Sequence, residues 1–188
     1  MHFNAIIRKH TRQTGPAHAK TTERLLLRPP RPYDLAAMFA IYSDPATNVF
    51  NPNGPMKELA QAQIFLNAWM RHWQEQGYGW WTVATREAPD KVIGFGGVAL
   101  MKYLDVERVN LGYRFGVPAW GKGYATELAS AALGYAFNEQ KLPKVYGLVR
   151  PTHQASIRVL EKIGMQRIDV LDDVPGQAPS LVFLANRS

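Results

Sequence analysis

The stretch Val109–Asn138, VNLGYRFGVPAWGKGYATELASAALGYAFN, decides how this chain is read. It opens with Val109–Phe115, a run of β-branched and aromatic residues that predicts a strand. A turn follows at Gly116-Val117-Pro118, then the glycine-bearing segment Trp120-Gly121-Lys122-Gly123-Tyr124-Ala125-Thr126. Beyond it Tyr124, Leu128, Ala131/Ala132 and Tyr135 recur at the spacing of a helix face. A strand, a glycine loop and a helix start together present bare backbone N–H groups to an anion, and the helix dipole adds positive charge at the same spot. The loop is therefore expected to hold a phosphate-bearing group.

Two phosphate motifs compete for nearby residues. Gly116 to Lys122 fits GxxxxGK, the opening of a P-loop, but Gly123 stands where Ser or Thr would ligate magnesium. Pro118 also removes a donor from the loop that would cradle the phosphates. Gly94-Phe95-Gly96-Gly97-Val98-Ala99 imitates a dinucleotide fingerprint but lies inside an apolar run, Val92–Met101, with no helix start after it. It is expected to be a buried, glycine-bearing strand with a bulge.

Working outward, prolines separate the periodic segments. Thr22–Arg28 predicts a first strand, and Pro32 suits the first turn of a helix carrying Leu35, Met38, Phe39 and Tyr42 on one face. A longer helix is predicted from Lys57 to Gln76, its stripe made by Leu59, Ala62, Leu66, Met70 and Trp73 and widened by Phe65 and Trp69. Tyr78–Thr85 and Lys91–Met101 form a hairpin-like pair around Ala88-Pro89-Asp90. After the central stretch come a strand at Lys144–Val149, a helix at Ala155–Ile163 and closing strands at Gln166–Leu171 and Leu181–Ala185. The order β-α-α-β-β-β-α-β-α-β-β implies a mixed α+β domain, a central sheet flanked by helices.

Composition narrows the chemistry. The chain has 188 residues, 46% apolar and 20% charged, which suits one folded domain with a substantial core. It has no cysteine, so disulfides, cysteine-based zinc sites and a cysteine acyl-enzyme are excluded. The histidines at 2, 10, 18, 72 and 153 form no close ligand pattern, and no metal is expected. No apolar run is long enough to span a bilayer, so a cytoplasmic protein without membrane contact is expected. Of the net charge of +7, four units come from Arg8, Lys9, Arg12 and Lys20 in an acid-free arm. Residues 1–20 are accordingly read as a flexible basic arm and 21–188 as a single domain. With no nucleic-acid motif in the body, charge alone supports a nucleic-acid partner, and such a partner is not expected.

Several motifs in order resemble the GNAT acetyltransferase superfamily, and within it the ribosomal-protein N-terminal acetyltransferase (RimJ/RimL-like) type. Thr22–Pro29 (TERLLLRP) is similar to the family's first strand, Tyr42-Ser43-Asp44-Pro45 to the end of its first helix, and Val92-Ile93-Gly94-Phe95 to its third strand. The family's coenzyme A loop, (Arg/Gln)-x-x-Gly-x-(Gly/Ala), falls on Trp120–Ala125, with tryptophan in place of the usual first residue. Pro151–Met165 resembles the second signature segment.

The resemblance implies a GNAT-like fold: a mostly antiparallel twisted sheet of six to seven strands with one splayed parallel pair, flanked by four helices. It implies that acetyl-CoA binds between Val109–Phe115 and Lys144–Val149, its pantetheine arm pairing with backbone around Phe115–Val117 and its pyrophosphate resting on the N–H groups of Gly121, Lys122, Gly123, Tyr124, Ala125 and Thr126. The Lys122 side chain either adds a screened charge or is solvated. His153, where the family usually has asparagine, either touches the cofactor or is an exposed residue at a helix start. The acceptor would be a primary amine, of a protein N-terminus or a small molecule, and the enzyme a monomer or homodimer.

The chemistry is direct attack of the neutral amine on a thioester, which requires a proton to leave and the thiolate to be stabilised. The general-acid tyrosine of many family members is replaced here by Leu160. Ser156, at the position of the proposed thiolate partner, takes that role or else caps its helix. A glutamate that serves as base in related enzymes is replaced by Asn110; Glu107 is the substitute candidate, or a solvated carboxylate. The alternative to an enzyme is a non-catalytic acyl-CoA-binding sensor, motivated by Asn110 and Leu160.

Overall fold

In a computed structural model, which describes residues 18–187, strands β1 (Lys20–Thr21) and β2 (Leu25–Arg28) precede helices α1 (Leu35–Ser43) and α2 (Leu59–Gln76). Strands β3 (Trp80–Thr85), β4 (Ala88–Tyr103) and β5 (Val106–Phe115) follow, then α3 (Tyr124–Gly134), β6 (Lys144–Val149), α4 (Gln154–Lys162), β7 (Gln166–Leu171) and β8 (Ser180–Asn186). Among the described residues these strands form one eight-stranded sheet in the order β1-β2-β3-β4-β5-β6-β8-β7. Every pairing is antiparallel except β5 with β6. The mixed α/β architecture with four helices and one parallel pair is as expected. The strand beyond the expected six to seven is the two-residue β1, which begins at Lys20, the last residue of the stretch read as an arm.

That end belongs to the domain. Lys20 pairs with Leu27 across the sheet and its ammonium meets Glu139 at 2.6 Å, while the Trp81 indole donates to the His18 carbonyl. The remainder of the arm, residues 1–17, lies outside the described residues. No helix of the described residues is long and apolar enough to cross a membrane.

The sheet is covered on both faces. Leu128, Ala132 and Leu160 of α3 and α4 pack on one face with Leu111, Phe115 and Phe183. Met38, Ile41 and Tyr42 of α1 pack with Ala62 and Leu66 of α2 and Phe95 of β4 on the other. The α2 stripe is narrower than its sequence predicts: Ala62, Leu66 and Trp73 are buried, but Leu59 and Phe65 are exposed. A helix that meets its neighbours along one seam buries only the residues aimed at that seam. Gly77 at φ +76° ends α2, as the sequence predicts.

One local expectation is corrected and another is met on one side of its strand. The β3–β4 turn is Arg86-Glu87, not Ala88–Asp90; Thr85 already pairs with Ala88, and a register shift there sets Pro89 in an irregular segment before Val92 meets Ala84. A proline cannot donate to a ladder, so the irregularity accommodates it. The bulge expected in the glycine-bearing strand lies on its β3 side, where Val83 pairs with Gly94 but Ala84 with Val92, leaving Ile93 as the extra residue; against β5, Gly94 to Gly97 pair in unbroken register with Phe115 to Gly112. The role of these glycines is room: a Cβ on Gly94 would sit 2.5 Å from the Phe115 ring, and one on Gly96 would sit 2.7 Å from a Leu128 methyl.

What positions the site is the junction of β5 and β6. These parallel strands share a single register pair, Asn110 with Tyr146, and separate beyond it. Asn110 is buried there; its amide accepts from the Tyr103 hydroxyl and donates to the Leu111 carbonyl. From Asn110 to Phe115 the gap opens along roughly 16 Å of strand.

Candidate active site

The opening between β5 and β6 continues into a cleft of about 680 Å³ walled by β5, the loop after it, α3, α4 and the segment following α1. Strand alternation decides what each wall offers. Leu111, Tyr113 and Phe115 face α3 and α4, whereas Asn110, Gly112 and Arg114 face α1 and α2. Tyr113 belongs to no sequence motif, but its place two residues before Phe115 puts it on the same face.

The glycine loop is built as the sequence predicts. Val117–Ala119 form a 3-10 turn, and the Trp120 indole donates to the Phe115 carbonyl at 2.9 Å. Gly121 at φ +72° and Gly123 at φ +78° adopt backbone that side chains other than glycine rarely tolerate. Gly123 is the N-cap of α3, with no side chain capping the helix, so its first-turn amides are open. Gly121, Gly123, Tyr124, Ala125 and Thr126 all line the cleft, and nothing lies within 4 Å of where a Cβ on Gly121 would be. Arg158 and Lys162 of α4 line it as well, bringing positive charge toward the same space. This cradle of open amides beside two cations fits a pyrophosphate.

The remaining predicted residues divide. Phe115, His153 and Ser156 line the cleft; Val117 and Lys122 are exposed outside its lining. Lys122 contributes its backbone, since its carbonyl accepts from Arg24 Nη1 at 2.8 Å. Arg24 Nε also donates to Glu127 Oε2 at 2.7 Å, and Glu127 Oε1 accepts from Thr22 Oγ1 at 2.6 Å and the Arg24 amide at 2.8 Å. Burial alone would raise the Glu127 pKa, but these donors hold it below the ordinary carboxylate value. Arg24 and Glu127 thus tie the glycine loop to the first strands.

Glu107 does not join the site. It stands opposite Lys102 near the β4–β5 turn, separated from Tyr113 by about 20 Å of extended strand. Leu160 is buried with its methyls against Gly147. Among the described residues, no carboxylate lines the cleft.

Ser156 caps nothing in α4. The Tyr113 hydroxyl donates to Ser156 Oγ at 3.3 Å, and Ser156 Oγ lies 3.4 Å from His153 Nε2. Burial pushes the Tyr113 pKa up to about 12, so the phenol keeps its proton at neutral pH. Burial lowers the His153 pKa below its ordinary value, partly through Phe50, whose ring stacks on the imidazole at 4.0 Å. At neutral pH His153 is therefore an uncharged base beside the Ser156 hydroxyl.

A cleft with open helix-start amides at one end and the hydrogen-bonded Tyr113, Ser156 and His153 beside it has the parts of a group-transfer enzyme. Residues 24–166 match the acetyltransferase (GNAT) domain family, and the chain belongs to that family of acetyltransferases. YkkB of Bacillus subtilis, itself uncharacterized, is 35% identical over 155 residues, covering 79% of this chain and 87% of its own. A GNAT-family acetyltransferase from Bacillus anthracis superposes with a TM-score of 0.75 at 25% identity, covering 90% of this chain and 98% of that one. RimJ of Mycobacterium smegmatis, solved with CoA-disulfide, shares the fold at a TM-score of 0.71 and 19% identity, over 86% of this chain and 81% of its own.

Proposed function

We propose that the protein transfers the acetyl group of acetyl-CoA to a primary amine, of a small molecule or a protein N-terminus. The observation that carries this reading is the chain Tyr113–Ser156–His153 set in the same cleft as the glycine cradle. When bound, acetyl-CoA supplies a thioester carbonyl open to attack. The open amides from Gly121 to Thr126, with Arg158 and Lys162, would hold its phosphates.

The protons balance within the chain's own residues. The reacting amine loses one proton and the departing sulfur gains one. His153, the uncharged base of the cleft, accepts the first; Ser156 Oγ donates the second and is reprotonated across the 3.4 Å to His153 Nε2. Tyr113 orients the serine by its hydrogen bond and keeps its own proton. His153 replaces Glu107 as the base in this scheme, because it lines the cleft and Glu107 does not.

A second reading, a sensor that binds acyl-CoA without turnover, is favoured by the carboxylate-free cleft and the apolar Leu160. Calorimetric titration with acetyl-CoA, followed by thiol release in the presence of an amine panel, separates the two. Binding with release on at least one amine supports transfer. Binding with no release on any amine supports the sensor.

A further inference from the structure

Arg114 occupies the cleft wall on the α1/α2 side of β5, opposite the face that carries Tyr113. It is half-buried, and that burial lowers its pKa. No carboxylate of the described residues pairs with it. Its one hydrogen bond among them runs from Nη1 to Asn48 Oδ1 at 2.6 Å, and its guanidinium lies over the Tyr42 ring at 4.4 Å. Asn48 cannot turn away, because its amide nitrogen donates to the Tyr42 and Asp44 carbonyls and its oxygen also accepts from Asn51. The guanidinium is thus fixed on one edge, with the rest of its five donors free for a ligand.

A half-buried cation without a counter-charge is a ready partner for a group of opposite charge that reaches it. The donor's phosphates already have the glycine cradle and the α4 cations on the far face. Arg114 instead stands one short segment, Asn48–Phe50, from the His153 ring on which Phe50 stacks. Resting on the transfer reading above, we infer that Arg114 recognises the acceptor, and that the acceptor carries a carboxylate close to its reactive amine. A guanidinium suits this task because two parallel N–H donors match the two oxygens of a carboxylate. A polyamine, cationic along its length, would be repelled from the same place.

The test compares acceptors that differ only in charge. One pair is a free amino acid and its amide; another is a peptide beginning with Asp and the same peptide beginning with Asn, which separates a small-molecule carboxylate from one on a polypeptide. Spermidine is the cationic control. The wild type is expected to favour the carboxylate member of at least one pair in kcat/KM, on the order of ten- to a hundredfold, and to use spermidine poorly. Arg114→Gln should abolish that ratio and Arg114→Lys restore part of it. The ratio is internal to each enzyme sample, so a partly unfolded variant does not distort it. Transfer with no carboxylate preference, or a preference untouched by Arg114→Gln, overturns the inference and leaves the transfer reading standing. An Arg114→Gln effect confined to the KM for acetyl-CoA and equal for both members of a pair also overturns it. No transfer to any acceptor overturns both.

Discussion

Tyr113 on β5 and Ser156 on α4, forty-three residues apart, meet through a hydroxyl–hydroxyl contact of 3.3 Å on the wall of the cleft. Ser156→Ala removes the proposed proton donor to the departing sulfur. Its kcat is expected to fall by about a hundredfold, with the KM for acetyl-CoA changed far less, as steady-state thiol release would show. A kcat within threefold of the wild type would place the donor elsewhere.

His153 must be uncharged to act as a base, and its pKa lies below the ordinary histidine value of 6.5 because it is buried. The acid limb of the kcat/KM profile is therefore expected below that value. Phe50→Ala uncovers the ring and should move the limb upward, toward 6.5. A limb that does not move in the variant would detach it from His153.

Gly123 holds φ +78°, where an added Cβ costs about 1–2 kcal/mol. Gly123→Ala is expected to lower Tm by roughly 2–8 °C in a protein of this size and to raise the KM for acetyl-CoA. Scanning calorimetry and initial rates measure the two effects. An unchanged Tm would contradict the strained backbone.

Glu127 accepts from Thr22 and twice from Arg24, and its carboxylate is held below the ordinary value of 4.5. Stability gained this way is present above that value and lost as pH falls through the folded pKa, where the carboxylate takes up its proton. Glu127→Gln should cost about 1–2 kcal/mol at neutral pH, the exposure of Arg24 keeping the figure modest. The gap between variant and wild type should close in acid. Urea unfolding at two pH values checks both statements.

Much of the fold was legible because its signals are local. The run from Val109 to Asn138 carries its own strand, its own glycines and its own helix period, so the strand, the positive-φ loop and the helix start are legible before any contact is known. The same holds for Gly77, which ends α2 by its backbone alone. What could not be read depends on approach between distant segments. Nothing near Arg114 in sequence announces Asn48, sixty-six residues earlier, as its partner. The exposure of Leu59 and Phe65 follows from how narrow the α1–α2 seam is, which helical period does not encode. Glu107 is the acid nearest Asn110 in sequence, but a strand carries residues apart at about 3.3 Å each, so it lies at the wrong end of β5. Tyr113 was within reach of period-two reasoning, since it shares a face with Leu111 and Phe115.

This cleft is proposed to move an acetyl group from acetyl-CoA to an amine by way of Ser156. The most direct measurement follows free thiol and acetylated product together, by absorbance and mass spectrometry, for the wild type and Ser156→Ala with the best acceptor of the panel. Equal amounts of thiol and acetylated amine are expected from the wild type, and a rate about a hundredfold lower from the variant. Thiol release without acetylated amine, or equal rates from the two proteins, would contradict the proposal.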